Sequence, residues 1–119
     1  MKTILVVDDE FGIADTLSSV LSDEGFDVMV AMNGAQGLAR MRERKPDLVL
    51  VDFMMPVKSG PEMIREMKMS EDLATIPVIV MSAVSEAMVR EECDLQAFLR
   101  KPFDLDSLLA TVASILRGS

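Results

Sequence analysis

No histidine, tryptophan or tyrosine occurs in the chain, and cysteine occurs once, at Cys93. The missing imidazole removes the commonest general base and the commonest nitrogen ligand for a metal. A single thiol excludes an internal disulfide and fits a reducing compartment. Long apolar runs are missing too. Stretches such as ILVV and VIVM stop far short of the roughly 20 residues that a membrane-spanning helix needs. The N-terminal apolar run meets the acidic cluster at Asp8 too early for a signal peptide. A cytoplasmic location is therefore expected, with no membrane partner. Positive charge is scarce: 12 basic residues face 20 acidic ones, for a formal net charge of −8. Such a surface repels phosphate backbones, so direct nucleic acid binding is not expected.

What the chain does have is apolar residues, half of its 119, enough for one domain spanning 1–119 around one core. Its 11 methionines read as adaptable core filler. Short apolar runs alternate with amphipathic segments. Strands are predicted at residues 2–9, 27–31, 48–52, 76–83 and 95–101. Helical periodicity covers 11–25, with Ile13, Ala14, Leu17, Val20 and Leu21 on one face and Gly25 as a stop. A weaker helix follows a turn pair at Asn33 and Gly34, and another starts near Pro61. About two helical turns are expected at 85–94. The last helix carries Leu105, Leu108, Leu109, Val112, Ile115 and Leu116 on one side and Asp104 as cap, and Gly118-Ser119 reads as a cloning remnant. Five strands alternating with five helices make an α/β fold, a parallel sheet with helices on both faces.

In such folds ligands bind beyond the carboxyl ends of the strands. Strand one ends in Asp8, Asp9 and Glu10, strand three in Asp52, strand four in Ser82 and strand five in Lys101. Strand two ends in Ala31 and Met32 and offers nothing. Taken singly, the acidic cluster caps a helix, Ser82 is a loop hydroxyl and Lys101 is a solvated charge. Asp52 differs, because it interrupts LVLVDFMMP, where an uncompensated carboxylate costs several kcal/mol. Together the residues suit one chemistry. Clustered carboxylates repel unless a hard cation such as Mg²⁺ relieves them, and a hydroxyl and an ammonium opposite can hold phosphoryl oxygens. Asp52 is then a nucleophile that forms an acyl phosphate.

At VVDDE (6–10), VDFMMP (51–56), MSA (81–83) and FLRKPF (98–103) the chain resembles the receiver domains of two-component response regulators, the CheY-like family. The resemblance covers essentially the whole length. It implies a flavodoxin-like sheet of order 2-1-3-4-5. It makes Asp52 the phosphoacceptor, charged by a sensor histidine kinase or a histidine phosphotransfer protein. Asp9 becomes the direct Mg²⁺ ligand, Asp8 its support, and the Met54 backbone carbonyl a further ligand. Ser82 hydrogen-bonds the phosphoryl group, Lys101 pairs with it, and the bond to Pro102 is cis. Phe98 matches the aromatic switch residue. Output to a downstream protein runs through helix 4, strand 5 and helix 5. Such a protein is no enzyme beyond its own phosphorylation and dephosphorylation.

Three features depart from the family pattern. Ser82 stands where threonine is commoner, and Ser59-Gly60 replaces an Asp-Gly turn. The stretch from Ser82 to Lys101 is short, which predicts a truncated or partly unwound fourth helix. Met54 and Val84, flanking Asp52, are apolar and cannot orient a hydrolytic water, which predicts a slowly decaying phosphorylated state. Competing readings are a pseudo-receiver acting as a phosphorylation-independent interaction module, a Mg²⁺-dependent phosphatase and a flavin binder. Against the phosphatase, residue 54 is Met where a second Asp is usual; against the flavin binder, no glycine-rich phosphate loop exists.

Overall fold

The computed structural model describes residues 1–117; Gly118 and Ser119, including the expected remnant, lie outside the described residues. In chain order the elements are β1 (Thr3–Val7), α1 (Phe11–Asp23), β2 (Asp27–Ala31), α2 (Gly34–Glu43), β3 (Leu48–Asp52), α3 (Gly60–Lys68), β4 (Val78–Ser82), α4 (Glu86–Glu92), β5 (Ala97–Arg100) and α5 (Leu105–Arg117). All strand pairs are parallel and the order is β2-β1-β3-β4-β5, as expected. No helix among the described residues is long and apolar enough to cross a membrane.

Every residue of β1, β3 and β4 is buried, which explains why these strands read as continuous apolar runs rather than alternating ones. Alternation decides which helices each side chain meets. Leu5, Val7, Val49, Val51, Val78 and Val80 pack with Leu38 and Met41 of α2, Met63, Ile64 and Met67 of α3, and Val89 of α4. Ile4, Val6, Leu48, Leu50, Ile79 and Met81 pack on the other face with Ala14, Leu17 and Leu21 of α1 and Leu108 and Val112 of α5. Full burial of each such side chain contributes about 1.5–3 kcal/mol.

Local signals and tertiary context disagree at three places, and at a fourth the structure chooses between two expectations. Asn33 is not a turn residue but the N-cap of α2, its side chain accepting from Gln36 N at 2.9 Å. Leu105, expected on the apolar stripe of α5, is 40 % exposed. β5 is shorter than expected at both ends, running from Ala97 to Arg100, although Gln96 before it still bonds Val78, backbone to backbone and through its side-chain oxygen, both at 2.8 Å. The fourth helix is truncated but not unwound. α4 has seven residues, Ser85 caps its start through Met88 N at 3.3 Å, and Arg90 pairs with Glu86 at 2.7 Å.

The segment after Asp52 is shaped by two backbone constraints. Gly60 starts α3 directly against β3. A Cβ there would stand 2.6 Å from the Asp52 carbonyl oxygen, a contact that only glycine avoids. Ser59 and Glu62 close a capping box over this start, so Ser59 serves in place of the expected Asp. Between them and Asp52, Val57 adopts φ 67°, and Lys58 N donates to Pro56 O across it at 2.7 Å. A three-residue turn with positive φ is strained for a β-branched residue, at about 1–3 kcal/mol. Val57 is 81 % exposed, so its side chain recovers little by packing. Val57→Gly is expected to raise stability by about 1 kcal/mol after the entropy that glycine adds to the unfolded chain. Urea unfolding followed by circular dichroism checks this, and a loss of stability would show that the turn is not strained.

Candidate functional site

Each chemistry-bearing side chain stands where its strand runs out of partners. β1 ends at Val7, but Asp8 N still donates to Ala31 O at 3.1 Å, so the extended backbone continues one residue further. Asp8 is fully buried, and its Oδ1 accepts from Glu10 N at 2.9 Å. Glu10 is the N-cap of α1 with extended backbone, and its side chain makes no capping bond. The alternation of extended chain therefore puts Asp8 and Glu10 on one side, and Asp9 between them is exposed. Carboxylate oxygens of Asp8, Glu10 and Asp52 lie within 4.8 Å of one another. Asp9, expected as the direct ligand, is not one of this trio. Glu10, to which the sequence reading assigned no role, is its third member, while Asp9 lines the cleft that Asp52 also lines. The signal was present in the i, i+2 spacing of an extended segment.

The trio is bridged by one cation. Lys101 Nζ donates to Asp8 Oδ2 at 3.2 Å and stands 3.3 Å from Asp52 Oδ2 and 3.6 Å from Glu10 Oε1. Its backbone N–H holds the carbonyl of Ser82 at 2.8 Å, and the Lys101–Pro102 peptide bond is cis. Three carboxylates against one ammonium leave the site strongly anionic. Burial, followed by the Asp8 charge, pushes the Asp52 carboxyl up to about 6 against the opposing pull of Lys101, with a smaller push from Asp9. Burial lowers the Lys101 pKa, but Asp52 and Asp8 outweigh it and hold the ammonium above its ordinary value.

A cleft of about 250 Å³ opens over this group, lined by Asp9, Glu10, Asp52, Met54, Ser82, Ala83, Val84 and Lys101. All the residues singled out in the sequence line it except Asp8 beneath it, Phe98 and Pro102. Ser82 is buried, its Oγ accepting from Val84 N at 3.0 Å. Phe98 is half-buried on β5, in register with Val80 two residues before Ser82. Met54 is 70 % exposed at the mouth. The donor set is hard oxygen with excess negative charge, the set that suits a divalent oxygen-seeking cation. The trio can hold a metal ion.

A family model, the response regulator receiver domain, matches residues 4–113. This chain belongs to the response regulator receiver family. Among curated relatives, sporulation initiation phosphotransferase F of Bacillus subtilis is 38 % identical over 97 % of this chain and 94 % of its own. Phosphate regulon transcriptional regulatory protein PhoB of Pseudomonas aeruginosa is 36 % identical over 98 % of this chain. The receiver spans about half of that relative, 52 % of its length. The expectation that nucleic acid is no direct partner gains no support from a match to a transcriptional regulatory protein. The receiver domain of the sensor histidine kinase PA1611 from the same organism, with a magnesium ion coordinated in its active site cleft, superposes with a TM-score of 0.90 at 26 % identity. That likeness covers 99 % of this receiver and 98 % of the other chain. The present receiver is thus a module of two-component signalling.

Proposed function

We propose that this receiver is a phosphorylation switch, with Asp52 accepting a phosphoryl group from a phosphohistidine of a sensor histidine kinase or histidine phosphotransfer protein. The reading rests on one observation above all: a half-buried lysine ammonium 3.3 Å from a carboxylate whose pKa stands near 6, in a cleft that also holds a serine hydroxyl. Above pH 6 Asp52 is ionised, and its oxygen attacks phosphorus. The P–N bond breaks, and its electron pair stays on the donor imidazole. Lys101 follows the charge onto the transferred oxygens, and Ser82 donates its hydroxyl to one of them. Asp8, Asp52 and the Met54 carbonyl, with Asp9 or Glu10, would hold Mg²⁺, which neutralises the developing charge.

Ser82 Oγ accepts from Val84 N and keeps its own O–H to donate to the phosphoryl group, so a hydroxyl drawn toward the phosphoryl oxygens pulls the β4–α4 loop with it. Room vacated behind Ser82 lets Phe98 turn inward, and the α4-β5-α5 face carries the change to a downstream protein. The domain acts on no other substrate, catalysing only its own phosphorylation and dephosphorylation, and works in the cytoplasm.

Intact mass after incubation with acetyl phosphate and Mg²⁺ tests the reading. One phosphoryl adduct is expected, absent with EDTA and absent in Asp52→Asn. No adduct from acetyl phosphate or from phosphohistidine donors would favour a phosphorylation-independent interaction module instead.

The lifetime of the adduct follows from the cleft walls. Met54 and Val84 line it, and neither side chain holds a water in line with the P–O bond. Slow decay is the expected result. Met54→Asn or Val84→Glu should accelerate it about tenfold, the equivalent of about 1.4 kcal/mol. Unchanged decay in both variants would show that water is positioned by something else.

A further inference from the structure

Eleven methionines occur in the chain, and Met41, Met63, Met67 and Met81 are buried in the core at 1 % exposure or less. Among the described residues Met1, Met54, Met69 and Met88 are the exposed ones. Only Met54 of these lines the cleft over Asp52, and it also forms a wall of the neighbouring shallow cleft with Asp9, Phe53, Met55, Pro56 and Ser59. Its thioether is therefore open to a small solute from the solvent side. On the other side it borders the space from which a hydrolytic water must approach. A thioether accepts hydrogen bonds weakly, whereas a sulfoxide oxygen accepts them well and sits on a side chain with three rotatable bonds.

We propose that Met54 is an oxidation site through which a peroxide shortens the lifetime of the Asp52 acyl phosphate. The proposal rests on the phosphorylation reading above and adds a redox input to it. The sulfur lone pair of Met54 attacks one oxygen of hydrogen peroxide and the O–O bond breaks. The departing hydroxide takes the remaining proton and leaves as water. Sulfur is oxidised by two electrons to the sulfoxide and the peroxide is reduced to water. The new S–O dipole accepts an O–H from a water in the cleft and holds its lone pair toward phosphorus. The apolar wall that kept the water unaligned thus becomes a polar one. Decay should accelerate about fivefold, the rate equivalent of about 1 kcal/mol, which one neutral hydrogen bond supplies. Methionine sulfoxide reductase reverses the change.

The test uses the parent chain and Met54→Leu, each with and without hydrogen peroxide before phosphorylation by acetyl phosphate and Mg²⁺. Peptide mass locates the added oxygen, and intact mass follows loss of the phosphoryl group after the donor is removed. The expected result is sulfoxide at Met54, an approximately fivefold faster decay in the parent, and recovery after reductase. Decay in Met54→Leu, whatever its own rate, should not respond to peroxide. The proposal is overturned if sulfoxide at Met54 leaves decay unchanged. It is overturned equally if Met69 and Met88 oxidise while Met54 does not, or if Met54→Leu responds as the parent does. Absence of any adduct in the unoxidised parent, from acetyl phosphate and from a phosphohistidine donor alike, would instead refute the phosphorylation reading itself.

Discussion

Asp52→Asn should unfold about 8 °C above the parent protein at pH 7.5 without metal, and at nearly the parent's temperature at pH 4. The expectation follows from linkage. Asp52 has a pKa of about 6 in the fold against 3.8 ordinarily, because burial and the Asp8 charge disfavour its ionised form more than Lys101 favours it. Where the folded value is raised, the stabilising contribution is complete below the unfolded pKa and is lost as pH rises through the folded one. Near pH 7 the ionised carboxylate therefore costs the fold about 2 kcal/mol, after an allowance for the contact that asparagine forfeits with Lys101. For a domain of this size that amounts to about 8 °C. Circular dichroism is the suitable probe, since the chain has no tryptophan or tyrosine. Equal stability of the two proteins at pH 7.5 would mean that Lys101 already compensates Asp52 fully. Added Mg²⁺ should narrow the gap, because it binds the parent's folded state more tightly than the variant's.

Lys101→Met should have the opposite sign and a larger size, a loss of about 3 kcal/mol at pH 7.5. Methionine keeps most of the stem's volume, so the change removes charge more than packing. The ammonium is 16 % exposed and contacts Asp8, which is fully buried, and Asp52. Removing one partner of a buried ionic group typically costs about 3–5 kcal/mol because the remaining charge is left uncompensated. Protonation supplies the relief that the lysine no longer does. Without Lys101 the pKa of Asp52 rises further, so the loss should shrink as pH falls from 8 to 5. A loss of the same size at both pH values would assign it to packing instead. The phosphoryl adduct should fail to accumulate in this variant at pH 7.5, where the parent's Asp52 is ionised, because the ammonium that follows the charge is gone. Comparison of the two variants separates functions of the ion pair: one carboxylate is retained at a cost to stability, and the lysine limits that cost.

Much of this was legible in the chain. Continuous apolar runs in β1, β3 and β4 gave away a sheet buried on both faces, and amphipathic periods gave the helices between. Polar residues at the ends of these runs marked the rim on which Asp52, Ser82 and Lys101 meet, Lys101 following Arg100 after the last run. These features are local, set by side-chain period and by where apolar burial stops. Long-range contacts decided the rest. Asn33 looked like a turn until α2 was seen to begin there, and Leu105 kept the period of α5 without finding a partner. Gln96, just before β5, bonds Val78 at the start of β4, 18 positions away along the chain.

The acidic run at Asp8, Asp9 and Glu10 draws the line most sharply. Read together with Asp52, its composition pointed to a cation site beyond the end of the first strand. Which carboxylates converge depended on the chain staying extended through Asp8, held by Ala31 across the sheet, so that Asp8 and Glu10 share one side. Sequence by itself determined the fold class and which polar groups stand at the strand ends around the cleft, because period and residue type are properties of the chain. Tertiary structure alone decided the pairing of Lys101 with Asp8, the approach of Glu10 to Asp8 and Asp52, and the raised pKa of Asp52. Those depend on distances of a few ångströms between groups that are far apart along the chain, and on how much water the fold leaves around them.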